Sequence, residues 1–540
     1  MTDSHHRSEA SGDVDSSMAA ADHSADAASF GWSAAPGWAP APDGLPAPGY
    51  GGVPTPGAAS PADAASTADA VPEGRLAEFL AAFQRLSEAA AEQASAARAS
   101  GGNPLLPPLT EHLGVDPRSL PVLTELVSPL REVDADVGLE HVIAAHGGGT
   151  LLGVGGGEQR WHHSLSEILQ MAGSYGQFRL GPVDYRTAPV GPDAERATVA
   201  FGLHLFHVGD DGDRRPVVVL ERMGNARFGQ PPQLEVLAED GVAAAVLTEI
   251  RDAMNAHSVL RGQVVTFTGS VYEPSSGGVT FVRRPDVAAA DVVLPAGRLD
   301  RIERHVLGIA HHRDELVAAG QHLKRGVLLY GPPGTGKTHT VRYLVGAAQE
   351  ATVILLSGMS LQFVSQAAET ARALQPAIVV LEDCDLVAEE RSHHSSSPLL
   401  FEVLDALDGL AADADVVFLL TTNRADILEP ALAQRPGRVD LAVEIPLPGT
   451  GARRALLDLY AADLPFSAAV LDEVAGAATG TTASFTKELV RRAVLLAVER
   501  GDASGVGDAD LRTALTEMMD DGGALTRSLL GGSGSGGDEG

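Results

Sequence analysis

The sequence predicts an α/β fold in which a parallel sheet is closed by a C-terminal helical lid and preceded by a separate α+β domain. Three observations predict it. The apolar run Val327-Leu-Leu-Tyr330 leads directly into the glycine-rich loop Gly331-Pro-Pro-Gly-Thr-Gly-Lys-Thr338 and then into a helical stretch from His339 to Val345. A second apolar run, Ala377-Ile-Val-Val-Leu381, ends in Glu382-Asp383-Cys-Asp385, as a buried parallel strand carrying acids at its carboxyl end should. Beyond Leu447-Pro-Gly449, helical periodicity runs through Ala452–Ala462, Ala468–Ala477, Ser484–Arg500 and Asp508–Met519.

Taken in order along the chain, residues 1–71 are dominated by Ala, Pro, Gly, Ser and Asp and predict a disordered tail. Its scattered aromatics, Phe30, Trp32, Trp38 and Tyr50, are either incidental to a solubilising tail or a docking motif for a partner. Residues 72–127 read as a helical segment. Leu76, Phe79, Leu80, Phe83 and Leu86 recur at spacings of three and four, and a second, shorter helical stretch runs from Leu120 to Leu130. Residues 128–293 read as the α+β domain, with strands at Thr198–Val208, Pro216–Arg222, Val264–Thr268 and Val279–Val282, and a helix from Gly241 to His257. Within it, the glycine-rich piece Gly147–Gly157 reads as a flexible loop rather than a phosphate cradle, since no clear helix follows it. Residues 294–448 form the parallel-sheet region, 449–525 the helical lid, and 526–540 a second disordered tail.

Composition narrows the classes of function. A hydrophobic fraction of 44% in 540 residues supports at least one sizeable core. With 39 basic against 71 acidic side chains, the formal net charge of −32 argues against nonspecific binding to nucleic acid or to an anionic membrane surface. The single cysteine, Cys384, leaves no internal disulfide framework and suits a reducing, cytoplasmic compartment. The polar N-terminus lacks the apolar core of a signal peptide. The longest apolar runs, such as Val416–Leu420, are strand-length and far short of the ~18 residues that cross a bilayer.

The strongest chemical signal is the loop, which meets G-x-x-x-x-G-K-[ST] in the required strand–loop–helix context. Gly331, Pro332, Pro333, Gly334, Thr335 and Gly336 let the backbone wrap close to phosphates with its N–H groups inward. The helix that begins near His339 adds its positive end. Lys337 is placed to reach the β- and γ-phosphates of ATP, and Thr338 to offer a hydroxyl to Mg²⁺. Of the acids ending the second strand, Glu382 is positioned to hold Mg²⁺ and Asp383 to orient an attacking water.

Further on, Phe418-Leu-Leu-Thr-Thr-Asn-Arg-Ala-Asp-Ile-Leu-Glu-Pro-Ala-Leu-Ala-Gln-Arg-Pro-Gly-Arg-Val-Asp440 completes a pattern that resembles the AAA+ ATPases, including their second region of homology. The resemblance covers about Leu294 to Met519. It implies that Asn423 positions the lytic water and that Arg435 and Arg438 are arginine fingers acting on a neighbouring subunit's nucleotide. A homo-oligomer, usually a hexameric ring, follows from that shared site. The function implied is ATP binding and hydrolysis coupled to remodelling, unfolding or assembly of an unidentified partner protein. The alternative is a nucleotide-controlled oligomeric scaffold that hydrolyses very slowly. A nucleic-acid motor fits the acidic composition poorly, and a metalloprotease would need a His-Glu-x-x-His motif that does not occur in the sequence.

Two departures from the family stand out. The acids run Glu382 then Asp383, where most members have Asp then Glu. This order is like that of some members acting in protein translocation or complex assembly. Where unfoldases carry an aromatic-hydrophobic-glycine pore loop, Ser357–Ser365 is short and has no glycine after Phe363-Val364, so Phe363 either grips an extended polypeptide or packs inside. The loop Arg391–Pro398, with His393 and His394, is either a second pore-facing loop or exposed polar surface. Lys487, Arg491 and Arg492 either sense the γ-phosphate from the lid or lie on a solvated helix face. Cys384, flanked by acids, reads as core filling rather than a reactive thiol.

Overall fold

The computed structural model describes residues 81–82, 84–86, 89, 103–210, 212–225, 227, 229–270, 273–385, 413–424, 439–502 and 505–520. The tails expected at 1–71 and 526–540 lie outside these residues, as do Leu76, Phe79, Leu80 and Phe83 of the expected first helix. Ala81, Ala82, Gln84, Arg85, Leu86 and Ala89 of that stretch are helical.

The N-terminal half is built on an antiparallel sheet. Its strands are β1 (Val122–Leu126), β2 (Gly149–Val154), β3 (Leu180–Gly181), β4 (Asp184–Pro189), β5 (Glu195–Val208), β6 (Arg215–Arg222) and β7 (Gln233–Leu237). They run in the order β1-β7-β6-β5-β2-β3, with β4 on β5. Helices cover both faces: α1 (Leu106–Leu113) and α3 (Leu165–Tyr175) one, α2 (Glu132–Ala145) and α4 (Val242–Ala256) the other. That double cover explains the uninterrupted Val217-Val-Val-Leu220 run. Val217 and Val219 join the core under α2 and α4, while Val218 and Leu220 join the core under α1 and α3. Each such side chain contributes roughly 1.5–3 kcal/mol by burial.

Two local expectations are corrected here. The stretch Leu120–Leu130 is not helical: Val122–Leu126 is a strand paired antiparallel with β7, with a short 3-10 turn on either side. Pro121 and Pro129 bracket it, and Thr124 and Val122 favour extended backbone. Gly147–Gly157 is not a free loop, because Gly149–Val154 pairs with β5 and β3. A Cβ on Gly153 would lie 2.2 Å from the backbone of Pro182, so glycine here permits close strand approach.

The C-terminal half is a second sheet, ordered β14-β10-β13-β12-β11-β8-β9. Its members are β8 (Val264–Ser270), β9 (Glu273–Val282), β10 (Arg325–Tyr330), β11 (Thr352–Ser357), β12 (Ala377–Glu382), β13 (Val416–Thr422) and β14 (Leu441–Glu444). All pairings are parallel except β8 with β9. Helices α5 (Arg298–Glu303) and α6 (Lys337–Ala347) pack on one face and α7 (Val364–Ala373) on the other.

This sheet takes in β8 and β9, which the sequence placed with the N-terminal domain at 128–293. Val353, Ile354 and Leu355 pair with Val264, Val265 and Thr266. Hydrogen bonding to β11 covers what would otherwise be an exposed sheet edge. The passage between the two halves is fixed by Asp134, only 1% exposed. Its carboxylate accepts hydrogen bonds from Arg131 Nε (2.7 Å), Ser258 Oγ (2.8 Å) and the Val259 amide (2.9 Å).

Four helices follow, α8 (Thr450–Tyr460), α9 (Ala468–Ala477), α10 (Ala483–Glu499) and α11 (Asp508–Met519), within two residues of the expected limits. They share one core containing Leu457, Val470, Phe485, Leu489, Leu511 and Met518.

Candidate functional site

Parallel strands deliver the site. Because β10, β13 and β12 are adjacent and run the same way, the segments leaving their carboxyl ends share one edge of the sheet. The loop after Tyr330, the acids at Glu382-Asp383 and the residues after Thr422 are thereby brought together.

The loop is shaped by its own contacts. Gly331 sits at φ +146, and a Cβ there would lie 2.2 Å from the Ile445 carbonyl oxygen, so only glycine fits. Lys337 Nζ donates to the carbonyls of Gly331 (2.8 Å) and Pro332 (2.9 Å), and Thr335 Oγ donates to Pro332 (2.9 Å). With those carbonyls held, α6 begins at Lys337 with no side chain capping its first turn, leaving amide donors at its positive end for an anion.

Lys337 is 5% exposed. Burial lowers its pKa, while Asp383 and Asp385 pull in the opposite direction. The pKa of Glu382 is raised by burial first and by the charge of Asp383 second, with the nearby Thr338 hydroxyl and Arg342 opposing. The hydroxyl of Thr338 and the carboxylate of Glu382 make an oxygen-only donor pair, which fits a hard cation such as Mg²⁺.

Asp383 has φ +51, a left-handed backbone rarely adopted by a residue with a side chain and costing on the order of 1–3 kcal/mol. Its amide donates to Thr421 Oγ (3.0 Å), and its Oδ1 accepts a long hydrogen bond from Asn423 Nδ2 (3.4 Å). Asp385 anchors the same group: its Oδ1 accepts from Thr422 Oγ (3.0 Å) and the Asn423 amide (3.1 Å), and its Oδ2 from Asn423 Nδ2 (3.5 Å). Between them, Cys384 Sγ donates to the Leu381 carbonyl (3.3 Å), and burial, aided by Asp385, pushes its thiol up to about 12. At that value it stays protonated and unreactive.

The lid and the preceding segment both reach the loop. Ser484, in the first turn of α10, donates its amide (3.1 Å) and hydroxyl (3.3 Å) to the Gly334 carbonyl. His339 Nε2 lies 3.2 Å from the Asp291 carbonyl.

Of the residues singled out in the sequence, Gly331 to His339, Glu382, Asp383 and Asn423 therefore converge. Arg435, Arg438, His393 and His394 lie outside the described residues. Phe363 packs inside, 4% exposed, with its ring edge-on to Phe267 at 6.4 Å; Met359 in the same segment is 77% exposed. Arg491 and Arg492 both pair with Glu488 on the lid surface. Sequence reasoning passed over three contributors. Asp385 carried a signal, as a third acid in one short run. Thr421 and Ser484 carried none, because their partners are 38 and 150 residues away.

Among the described residues, no helix is long and apolar enough to cross a membrane, and no cluster of His, Cys, Asp and Glu could hold a metal ion by itself. A family model described as "ATPase family associated with various cellular activities (AAA)" matches residues 327–447. Relatives include the ATP-dependent zinc metalloprotease FtsH 3 of Sphaerobacter thermophilus, 34% identical over 282 residues, which are 49% of this chain and 57% of the relative. FtsH 2 of the same organism is 33% identical, over 48% of this chain and 40% of the relative. The 26S protease regulatory subunit 6A of Caenorhabditis elegans is 30% identical, over 40% of this chain and 54% of the relative. The chain thus spans between 40% and 57% of the length of these relatives. The matched segment runs from β10 through the acids of β12 and Asn423 to just past the end of β14, so residues 327–447 are matched as an AAA-type ATPase domain.

Proposed function

We propose that the protein binds ATP at the Gly331–Thr338 loop and hydrolyses it to remodel, unfold or assemble a partner protein. The observation that carries this reading is the convergence of Lys337, Thr338, Glu382, Asp383 and Asn423 on one sheet edge. Loop amides and Lys337 hold the phosphates. Thr338 and Glu382 would hold Mg²⁺, which when bound neutralises charge on the terminal phosphates. Asp383 takes the water-orienting role with Asn423, its left-handed backbone turning a carboxylate one methylene shorter than glutamate towards that amide. Arg435 and Arg438 serve a neighbouring copy's nucleotide in a homo-oligomer, for which a hexameric ring is the expected form. The protein works in the cytoplasm and does not act on nucleic acid.

The partner is a protein selected by the antiparallel-sheet domain or by the N-terminal residues. The zinc-protease activity in the names of two relatives is not carried over, since no His-Glu-x-x-His occurs in these 540 residues. With Phe363 in the core, gripping of a threaded chain by that ring is not part of the proposal.

Steady-state hydrolysis by the wild type and by Asp383→Asn, with oligomeric mass recorded with and without ATP, tests this. Turnover lowered by about 10²–10⁴-fold in the variant, with ATP still bound, is the expected result. Absent turnover in both, with ATP-dependent assembly, would replace the motor by the nucleotide-controlled scaffold.

A further inference from the structure

The hydrogen bonds between Ser484 and Gly334 join the lid to the glycine-rich loop, each of which is held by contacts of its own. On the lid side, Thr482 caps α10 by accepting from the Phe485 amide (3.1 Å), and Phe485, Leu489 and Val490 seat the helix in the lid core. On the loop side, the neighbouring carbonyls of Gly331 and Pro332 are already engaged by Lys337 and Thr335. Gly334 is the loop carbonyl that the lid holds.

A peptide unit is planar, and in its trans form the carbonyl and the following N–H point in opposite directions. Two donors on the Gly334 oxygen therefore restrain the plane of the Gly334–Thr335 peptide and aim the Thr335 amide away from the lid. We propose that Ser484 is a positioning residue for nucleotide binding: by holding the Gly334 carbonyl it orients the Thr335 N–H as a phosphate donor and so links lid position to phosphate occupancy. The inference rests on the nucleotide-site reading above and deepens it. The link is reciprocal, so phosphate bound in the loop holds the lid in this position to the same extent that the lid favours phosphate.

The two donors of Ser484 are separable. Ser484→Ala keeps the amide bond and removes the hydroxyl bond; Ser484→Thr restores a hydroxyl at the same place. Loss of one hydrogen bond of this kind predicts that ATP and ADP bind about 2–10-fold more weakly to Ser484→Ala. Adenosine, which has no phosphate, binds as to wild type. Because the amide serves bound substrate and transition state alike, KM for ATP rises with kcat kept within about twofold. Ser484→Thr returns both affinities towards wild type. A lid merely destabilised by the substitution would weaken adenosine as well, or lower kcat, and neither would be rescued by Thr.

Unchanged ATP affinity in Ser484→Ala, or an equal loss for adenosine, overturns the inference while leaving the nucleotide site standing. Wild-type protein that fails to bind ATP at all overturns the site reading itself.

Discussion

The two sheets handle charge in opposite ways. In the parallel sheet, Lys337, Glu382, Asp383 and Asp385 gather at the carboxyl edge, where loop carbonyls, hydroxyls and Asn423 are their neighbours. In the antiparallel sheet, Glu235 and Glu221 are sunk between strands and helices and paired there. Glu235, 1% exposed, accepts from Arg222 (3.2 Å), Gln233 (2.7 Å) and the Leu165 amide (2.7 Å), while His204 meets Glu221 at 2.8 Å. Parallel strands end together and leave loops on one side for a ligand, whereas antiparallel strands alternate ends and form no such edge. Buried charge between the strands of the first half is therefore architecture, as is the Arg325–Asp415 pair (2.8 Å) at the amino ends of β10 and β13, whereas the charge at the carboxyl edge lies where a ligand can reach it.

Removing a charge from each half separates the two roles. Lys337→Ala forfeits charge-assisted hydrogen bonds to phosphates, so ATP affinity falls by about 10²–10⁴-fold by titration while the thermal midpoint without nucleotide stays close to wild type. Glu235→Leu does the reverse. It leaves Arg222 buried without its counter-charge and the Leu165 amide without an acceptor, and costs about 3–5 kcal/mol in denaturant unfolding, with ATP affinity of the folded fraction unchanged.

Asp136, on α2, gives a finer test through pH. Burial, with Glu221 adding to it, raises its pKa from 3.8 to about 6, against the Val199 amide and Arg196. A carboxyl raised on folding stabilises the fold while protonated, and that contribution is lost as pH rises from about 4 through about 6. Asp136→Asn keeps the shape without the charge. Its thermal midpoint should gain on the wild type as pH rises across that window and level off above it, by an amount equivalent to no more than about 3 kcal/mol. A constant difference from pH 4 to 8 would assign the shift elsewhere.

The smallest effect expected is that of the swap Glu382→Asp with Asp383→Glu. If the left-handed backbone at residue 383 suits the shorter acid, the family-like order lowers turnover by a few-fold instead of raising it. An increase in turnover would mean that the native order limits the rate.

Legibility in the sequence followed the range of the interactions. The phosphate loop was readable because glycine spacing, lysine and strand–loop–helix order all lie within one short stretch, and the lid helices because their periodicity is local. Leu120–Leu130 was misread because five extended residues between prolines carry too little pattern to separate strand from helix. Phe363 was ambiguous for a different reason: whether an aromatic after a strand faces solvent depends on what covers it, here Phe267 from a strand almost a hundred residues earlier.

By itself, then, the sequence determined the glycine-rich loop, the paired acids and the helical lid, each specified by neighbours in the chain, while Asn423 was picked out by the resemblance to the AAA+ ATPases. The tertiary structure alone decided that β8 and β9 extend the parallel sheet, that Asp385 and Thr421 hold Asn423 and Asp383, and that Ser484 holds Gly334. Strand partners and hydrogen-bond acceptors across tens of residues are chosen by closure of the whole core, and one stretch of sequence does not encode which distant edge or carbonyl will arrive beside it.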